Sequence, residues 1–547
     1  MKYKLFKIAL LFGVASMIGC DDMLETTPTD RISDKLVWTS ESNVTLYING
    51  FYPYIDRYGN FGTAPGQFNG NLTEGLTETL KYGSYVPGSK AGDANNYVFT
   101  PETMSSTGNL LNTWGDTYER IRRVNEFLVG LSQYSVLDEA TNKLFEGQAR
   151  FFRAFLYFQL AKRHGGVILY TDMNLQKNKA RSSAAETWNL IASDLDYAAS
   201  ILPKKWTGTN VGRVTKGAVF ALKSRAMLYA ERWQDAKNAA DSVLNLNTYA
   251  LTAKYEDAIK GKNSESILEY NYLVTGPNHT FDKDYATFGE IENQGGSGTP
   301  TQEMIESYEK KDGTKVNWTA WHTAAGTTTR PPYEDLEPRF QATVIYNGSK
   351  WMGKTMENCV DGINGKYMGY RDDTYTKGRT VTGYYLKKYR DETHTDLITY
   401  YSTQTWVELR LAEVYLNRAE ANYRLGNAGG ALADINAVRT RTGVGLPSVS
   451  GITGDALFSA IRQERKVELA YEGHLYWDMR RWKLAHKEYN GYRVHGMKIS
   501  KNAAGYLYQY VDCDLQDRKF LEKTYVFPVP YSELANNSAI EQYDEWK

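Results

Sequence analysis

The chain has 547 residues, and its 64 Lys and Arg are balanced by 64 Asp and Glu, giving a formal net charge of zero. A surface without net positive charge gains little from counterion release on a phosphate backbone, which excludes nucleic acid as a main partner. Forty-two Tyr and 12 Trp stand in a chain whose hydrophobic fraction is only 42 %. Most of these rings must serve the core, while the rest can offer an apolar face with a polar edge at the surface.

Lys2, Lys4 and Lys7 precede an apolar stretch, Ile8 to Ile18, that ends at Gly19-Cys20. The stretch is too short to cross a hydrocarbon layer of ~30 Å as a helix. It reads as a secretory signal over residues 1–19, cut before Cys20, which then becomes the lipid-attachment residue. Several acyl chains on one residue anchor stably where a single chain is marginal. Residues 20–40 follow as a lipidated tether. Cys359 and Cys513 are the remaining cysteines. An exported location permits a disulfide, but no spacing motif requires one, and two free buried thiols are expected.

From about residue 110 the apolar period is helical. Trp114, Tyr118, Ile121, Val124 and Leu128 recur at three- and four-residue steps. Gln148 to Arg163 repeats the pattern and stops at Gly165-Gly166, a C-cap signal. His164 beside it reads as a helix C-terminal cation. Thr187 to Leu202 is the next helix, followed by the pair Thr215 to Glu231 and Trp233 to Asn245. Within Leu409 to Arg439, the small residues Ala419 and Ala431 and the turn Leu425-Gly426 have the offsets of a tetratricopeptide-type hairpin. Ala226 and Ala236 form a tighter version. Such hairpins bury their apolar faces only by stacking. Ile452 to Tyr471 is a further long helix.

Two stretches break this order. Residues 50–108 and 247–405 are dense in Gly, Thr, Asn and Tyr. Irregular segments this long are functional or disordered, and their ring content argues against disorder. The expected architecture is therefore mainly all-α: a helical scaffold at about 110–246 and 406–484, carrying loop-rich lobes with a few short strands.

The chain resembles the SusD/RagB family of Bacteroidota surface lipoproteins. The resemblance rests on Glu146-Gly147-Gln148-Ala149-Arg150-Phe151-Phe152-Arg153-Ala154, on Gly212-Arg213-Val214-Thr215-Lys216-Gly217 and on Pro300-Thr301-Gln302-Glu303-Met304. It continues through Glu337-Pro338-Arg339-Phe340, Leu409 to Leu416 with Ala419-Glu420-Ala421, Arg462 to Trp482, and Phe527-Pro528-Val529-Pro530. Asp21 and Asp22 after Cys20 are similar to that group's surface-export tag. The resemblance implies one domain over 41–547, with four tetratricopeptide-like hairpins under a loop-rich ligand face. It implies an outer-membrane location facing the exterior, capture of an oligosaccharide or polysaccharide, and a TonB-dependent transporter as partner. The charged run Glu464, Arg465, Glu468, Glu472, Asp478, Arg480 and Arg481 reads as ion pairs holding a helix rather than as catalytic groups.

A sugar packs its C–H face on a ring and offers its hydroxyl rim to planar donors and acceptors. Trp318 and Trp321, in a polar Gly-rich loop, fit ring stacking, with loop packing as the competing reading. Tyr82 and Tyr85 stand in a similar setting, and Tyr285 and Asn95 complete the candidate set. No cofactor is implied; a structural calcium near Asp372 and Asp373 is the one metal site considered. The sequence holds no Gly-x-Ser-x-Gly elbow, Walker loop or His-Glu-x-x-His motif, so binding without catalysis is expected. The alternatives are a tetratricopeptide-type protein-binding scaffold and, further off, a surface glycosidase.

Overall fold

The computed structural model describes residues 34–60, 72–82, 104–109, 111–174, 176–291, 294–369, 378–503, 505–514 and 517–547. The signal segment, Cys20, Tyr85, Asn95, Asp372 and Asp373 lie outside the described residues.

The scaffold consists of helices α1 (Trp114–Tyr134), α2 (Glu139–His164), α3 (Ala184–Ile201), α4 (Lys216–Tyr229), α5 (Trp233–Asn245), α6 (Leu411–Arg424), α7 (Ala428–Arg439), α8 (Gly454–Glu468) and α9 (Leu475–Arg481). Asp138 starts α2 by accepting the Thr141 N–H at 2.9 Å. A capping box between Ser183 and Glu186 starts α3. These caps set the first turns of α2 and α3 ahead of the apolar stripes. Gly165, at φ +69, ends α2 where the sequence placed its C-cap. The helix α8 stops at Glu468, short of the expected Tyr471, because Tyr471 and Gly473 take left-handed backbone at φ +61 and +77.

Successive helices from α1 to α5 pack on one another, α5 packs on α6, and α6 on α7 and α8. The array is therefore continuous in space although residues 246–410 separate α5 from α6 in the chain. Ala419, Ala431, Ile435, Leu457 and Ile461 form one of its buried clusters, so the small residues do let α6 and α7 approach closely. The tetratricopeptide-like, mainly helical fold class read from the sequence holds. The main core lies under α1 and α2, where Phe51, Phe127, Phe151, Phe152 and Phe155 meet edge to face and in stacks.

The strands used below are β1 (Leu80–Tyr82), β2 (Ser266–Tyr270), β3 (Gly298–Pro300), β4 (Lys350–Trp351), β5 (Lys354–Thr355), β6 (Trp406–Arg410), β7 (His495–Asn502) and β8 (Gly505–Asp512). They pair antiparallel as β1 with β3, β2 with β6, β4 with β5, and β7 with β8. The β2–β6 pair joins the chain on either side of the long insertion to the start of α6. The β7–β8 hairpin is an element the sequence reading missed. Among the described residues no helix is long and apolar enough to cross a membrane.

Candidate ligand site

The site grows from the β7–β8 hairpin. Side chains alternate across a strand, so Tyr506, Tyr508 and Tyr510 share one face, opposite Lys501, Ile499 and Met497. The segment 323–329 lies along the free edge of β8. Thr327 and Tyr508 exchange both backbone hydrogen bonds at 2.9 Å, and the Tyr510 N–H donates to Thr323 O at 3.1 Å. Gly326 is required there: at φ +86, an added Cβ would lie 2.7 Å from Gln509 Cγ and 2.9 Å from Leu507 Cδ1.

This edge positions the predicted tryptophans. Asn317 accepts the Thr319 N–H at 3.1 Å and opens a single 3₁₀ turn, Trp318–Ala320. Trp318 is buried, with its ring centroid 5.5 Å from that of Trp321 in an edge-to-face contact. Trp321 is half-buried, and its Nε1 donates to Thr329 O at 2.9 Å. Trp318 is thus the support and Trp321 the ring at the surface. Thr329 leads directly into Arg330, at the wall of a cleft of about 550 Å³.

Tyr506 and Tyr508 form one side of this cleft, with Arg330, Asn347, Lys354, Glu357, Ile363 and Asn364 around it. Asn347 is buried, and its Oδ1 has no hydrogen-bond partner within the protein. Ile363 is 74 % exposed, an apolar residue that the fold leaves in water. A hydrogen bond from Lys501 at 3.1 Å holds the Glu357 carboxyl below its ordinary range. Burial, then the Glu357 charge, raises the Tyr506 phenol above its usual value, so it stays a neutral donor. Lys354, Met356 and Asn364 also line a second cleft of about 290 Å³, with Trp351, Glu392 and His394. The buried Trp351 Nε1 likewise lacks a partner. Lys354 forms no ion pair among the described residues.

The other sequence candidates separate. Tyr82 sits in β1, buried over Gly75, and its hydroxyl donates to Leu72 O at 2.9 Å. Tyr285 is buried and stacked on Phe281 at 4.3 Å, and its hydroxyl accepts the Leu72 N–H at 3.3 Å. Neither ring has a face open to solvent: both hold the Leu72 segment against the core, a correction to their expected surface role. Tyr85 and Asn95 lie outside the described residues. His164 is also corrected. Burial pushes its imidazole down to about 3, so it is neutral, and its Nδ1 faces Phe527 O at 3.1 Å. Cys359 and Cys513 are free and buried. No cluster of His, Cys, Asp or Glu among the described residues is placed to hold a metal.

The charged run at the end of the array is clamped. Arg465 pairs with Asp478 at 2.8 Å, Arg481 with Glu420 and Asp478, and Glu472 with Arg410 and Lys388. Against their burial, the cations hold the Glu420 and Glu472 carboxyls below the usual range, and all three carboxylates are buried.

A family model described as the SusD family matches residues 264–546, just over half of the chain. The chain belongs to the SusD family. A second model, described as "Starch-binding associating with outer membrane", matches residues 55–228. A SusD-like protein of Formosa agariphila is 24 % identical over 87 % of this chain and 89 % of its own length. Among solved structures, a SusD-like protein from Bacteroides fragilis superposes with a TM-score of 0.80 at 27 % identity, covering 94 % of this chain and 99 % of that one. A SusD-like carbohydrate binding protein from the same species gives 0.75 at 24 % identity over 92 % and 100 %. Within this SusD-family chain, the Tyr-rich hairpin falls inside the first matched segment. The alternating Tyr506-x-Tyr508-x-Tyr510 run was the signal that could have revealed it.

Proposed function

We propose that this SusD-family protein is a lipid-anchored, outer-membrane surface protein that captures an oligosaccharide and passes it to a TonB-dependent transporter without chemical change. In this reading residues 1–19 are the export signal, Cys20 carries the lipid, 20–40 are the tether and 41–547 the binding domain. The observation that carries the ligand assignment is the cleft beside Tyr506. It joins a half-buried ring, an exposed aliphatic residue and a buried unpaired acceptor, Asn347 Oδ1, in a volume suited to a few sugar rings. The carbohydrate-binding description of the Bacteroides fragilis neighbour supports the same class. Trp321 extends the surface at the rim through Thr329. The test is calorimetric titration of the mature chain with a panel of neutral and charged oligosaccharides, with chromatography of the mixture afterwards. Saturable binding with unchanged sugar is expected; new sugar products would show catalysis and sink the proposal.

One observation supports the protein partner. Leu273, Val274, Ile398, Tyr400 and Tyr401 are exposed on two loops joined by the antiparallel bridge His279↔Ser402. Exposed apolar residues gathered on two joined loops are what a protein contact would use. Charged substitutions at Val274 and Ile398 should release the co-purifying transporter while leaving glycan affinity intact; unchanged co-purification would remove this patch from the contact.

A further inference from the structure

A second polar space lies inside the molecule, away from the cleft. It is a chamber of about 40 Å³ between α2, α4, β6 and the 472–474 turn, with Thr73 at its wall. Its carboxylates are already bonded. Glu408 accepts Arg225 Nη1 at 2.5 Å and Trp406 Nε1 at 2.9 Å. Glu472 accepts Arg410 Nη2 at 2.7 Å and Lys388 Nζ at 2.6 Å.

The donors are not matched in the same way. Lys162 forms no ion pair and no hydrogen bond among the described residues; its Nζ sits over the Trp477 ring at 4.7 Å and the Phe158 ring at 5.4 Å. The buried Thr73 Oγ1 has no partner. Gln159 is buried, and the bond that engages its side chain is received at Oε1 from Arg163, which leaves Nε2 for the chamber. Lys162 is half-buried, and ring faces offset only part of the cost of partly withdrawing its ammonium from water. A water would satisfy its hydrogen bonds but not its charge. A sugar ring is too large, since each water-sized occupant needs roughly 10–15 Å³ of such space.

We propose that this chamber is a binding site for a small monovalent anion of the size of chloride, held by Lys162 Nζ with Thr73 Oγ1 and Gln159 Nε2 as further donors. The anion would balance Lys162, a lining cation that forms no ion pair among the described residues, and would tie α2 to the Thr73 segment. It would act on stability and not on glycan capture.

The test uses the mature chain. Crystals grown in bromide should show an anomalous peak within hydrogen-bond distance of Lys162 Nζ. The thermal midpoint should be higher in sodium chloride or bromide than in sodium gluconate at equal ionic strength. Lys162→Met, close in shape and uncharged, should lose both the peak and the halide dependence. A chamber without bromide signal and with density fitting water alone would overturn the assignment, as would equal halide dependence in Lys162→Met. If that variant does not fold, the bromide crystal of the unaltered chain decides the question by itself.

Discussion

Arg410 and Glu468 meet at 2.8 Å with both side chains withdrawn from solvent. Arg410 ends β6 immediately before α6, and Glu468 ends α8, so this contact joins the scaffold across its last repeat. Arg441 adds a bond to Glu468 at 2.6 Å and Arg339 one at 3.2 Å, while Arg410 also reaches Glu265 and Glu472, each at 2.7 Å. Glu265 precedes β2, and Arg339 lies in the long insertion. The network thus fastens the loop-rich lobe to the helices that carry it.

The cost of breaking that network follows from burial. Three guanidinium groups hold Glu468 well below the usual carboxylate range against the burial that opposes them. Glu468→Gln keeps the shape and removes the charge, leaving Arg410 and Arg441 with one fewer counter-charge. Removing one partner of a buried pair costs about 3–5 kcal/mol. Urea unfolding followed by circular dichroism should register a loss of that order, and a loss under ~1 kcal/mol would mean that Glu265 and Glu472 already neutralise the arginines.

A pH dependence is built into the second cleft. The hydrogen bond to Asp282 at 2.8 Å raises His394 above its ordinary 6.5. Burial would raise Asp282, but His394, Arg390 and the other donors around it outweigh this and bring it to about 2. The histidine's contribution is complete below its unfolded value and fades as pH rises through its folded value. The Asp282 contribution is present above its ordinary value and is lost as pH falls towards about 2. The stability gap between the unaltered chain and His394→Phe should therefore be wide at about pH 5.5 and narrower at about pH 8.5. A gap that is constant between these two values would show that His394 acts only by packing.

The helical half of the fold was legible because its period is local. Ala419 and Ala431 sit on facing helices in one buried cluster, and both Ala226 and Ala236 are buried. The site was less legible. Burial of Tyr285 depends on the Leu72 segment, 213 residues away in the chain, a contact that no run of neighbouring residues encodes, and Tyr82 folds back onto that same segment. The cleft joins Arg330, Asn347 and Tyr506, brought together by the pairing of Thr327 with Tyr508, which is non-local. The Tyr506 hairpin did carry a two-residue alternation, but it lies outside the two irregular stretches, 50–108 and 247–405, in which ligand residues were sought.

The small-residue rule makes a direct prediction. Ala419 has no solvent exposure and packs with Ala431, Leu457 and Ile461. Ala419→Leu adds three carbons where α6, α7 and α8 meet. Overpacking of this kind costs about 1–3 kcal/mol. Ala428, only partly buried at the edge of the same cluster, is the control: Ala428→Leu should cost much less. Equal losses for the two, read from thermal midpoints, would remove close helix approach as the reason for the alanine.

The two tryptophans should part company when each is replaced. Trp318 is buried in the main core, so Trp318→Ala should destabilise by about 3–5 kcal/mol. Trp321 keeps part of its ring at the surface, beside the path from Thr329 to Arg330, and Tyr506 forms the cleft wall. Loss of a stacking ring removes about 1–3 kcal/mol of binding, roughly 5- to 150-fold in affinity. Tyr506→Ala and Trp321→Ala should each weaken oligosaccharide binding within that range while the thermal midpoint moves little. Tyr506→Phe should lose less, because the ring face remains and only the neutral hydroxyl is gone. Calorimetry on the three variants separates the roles. Full affinity in Tyr506→Ala would place the ligand elsewhere on the lobe, and full affinity in Trp321→Ala would confine the site to the cleft without its rim.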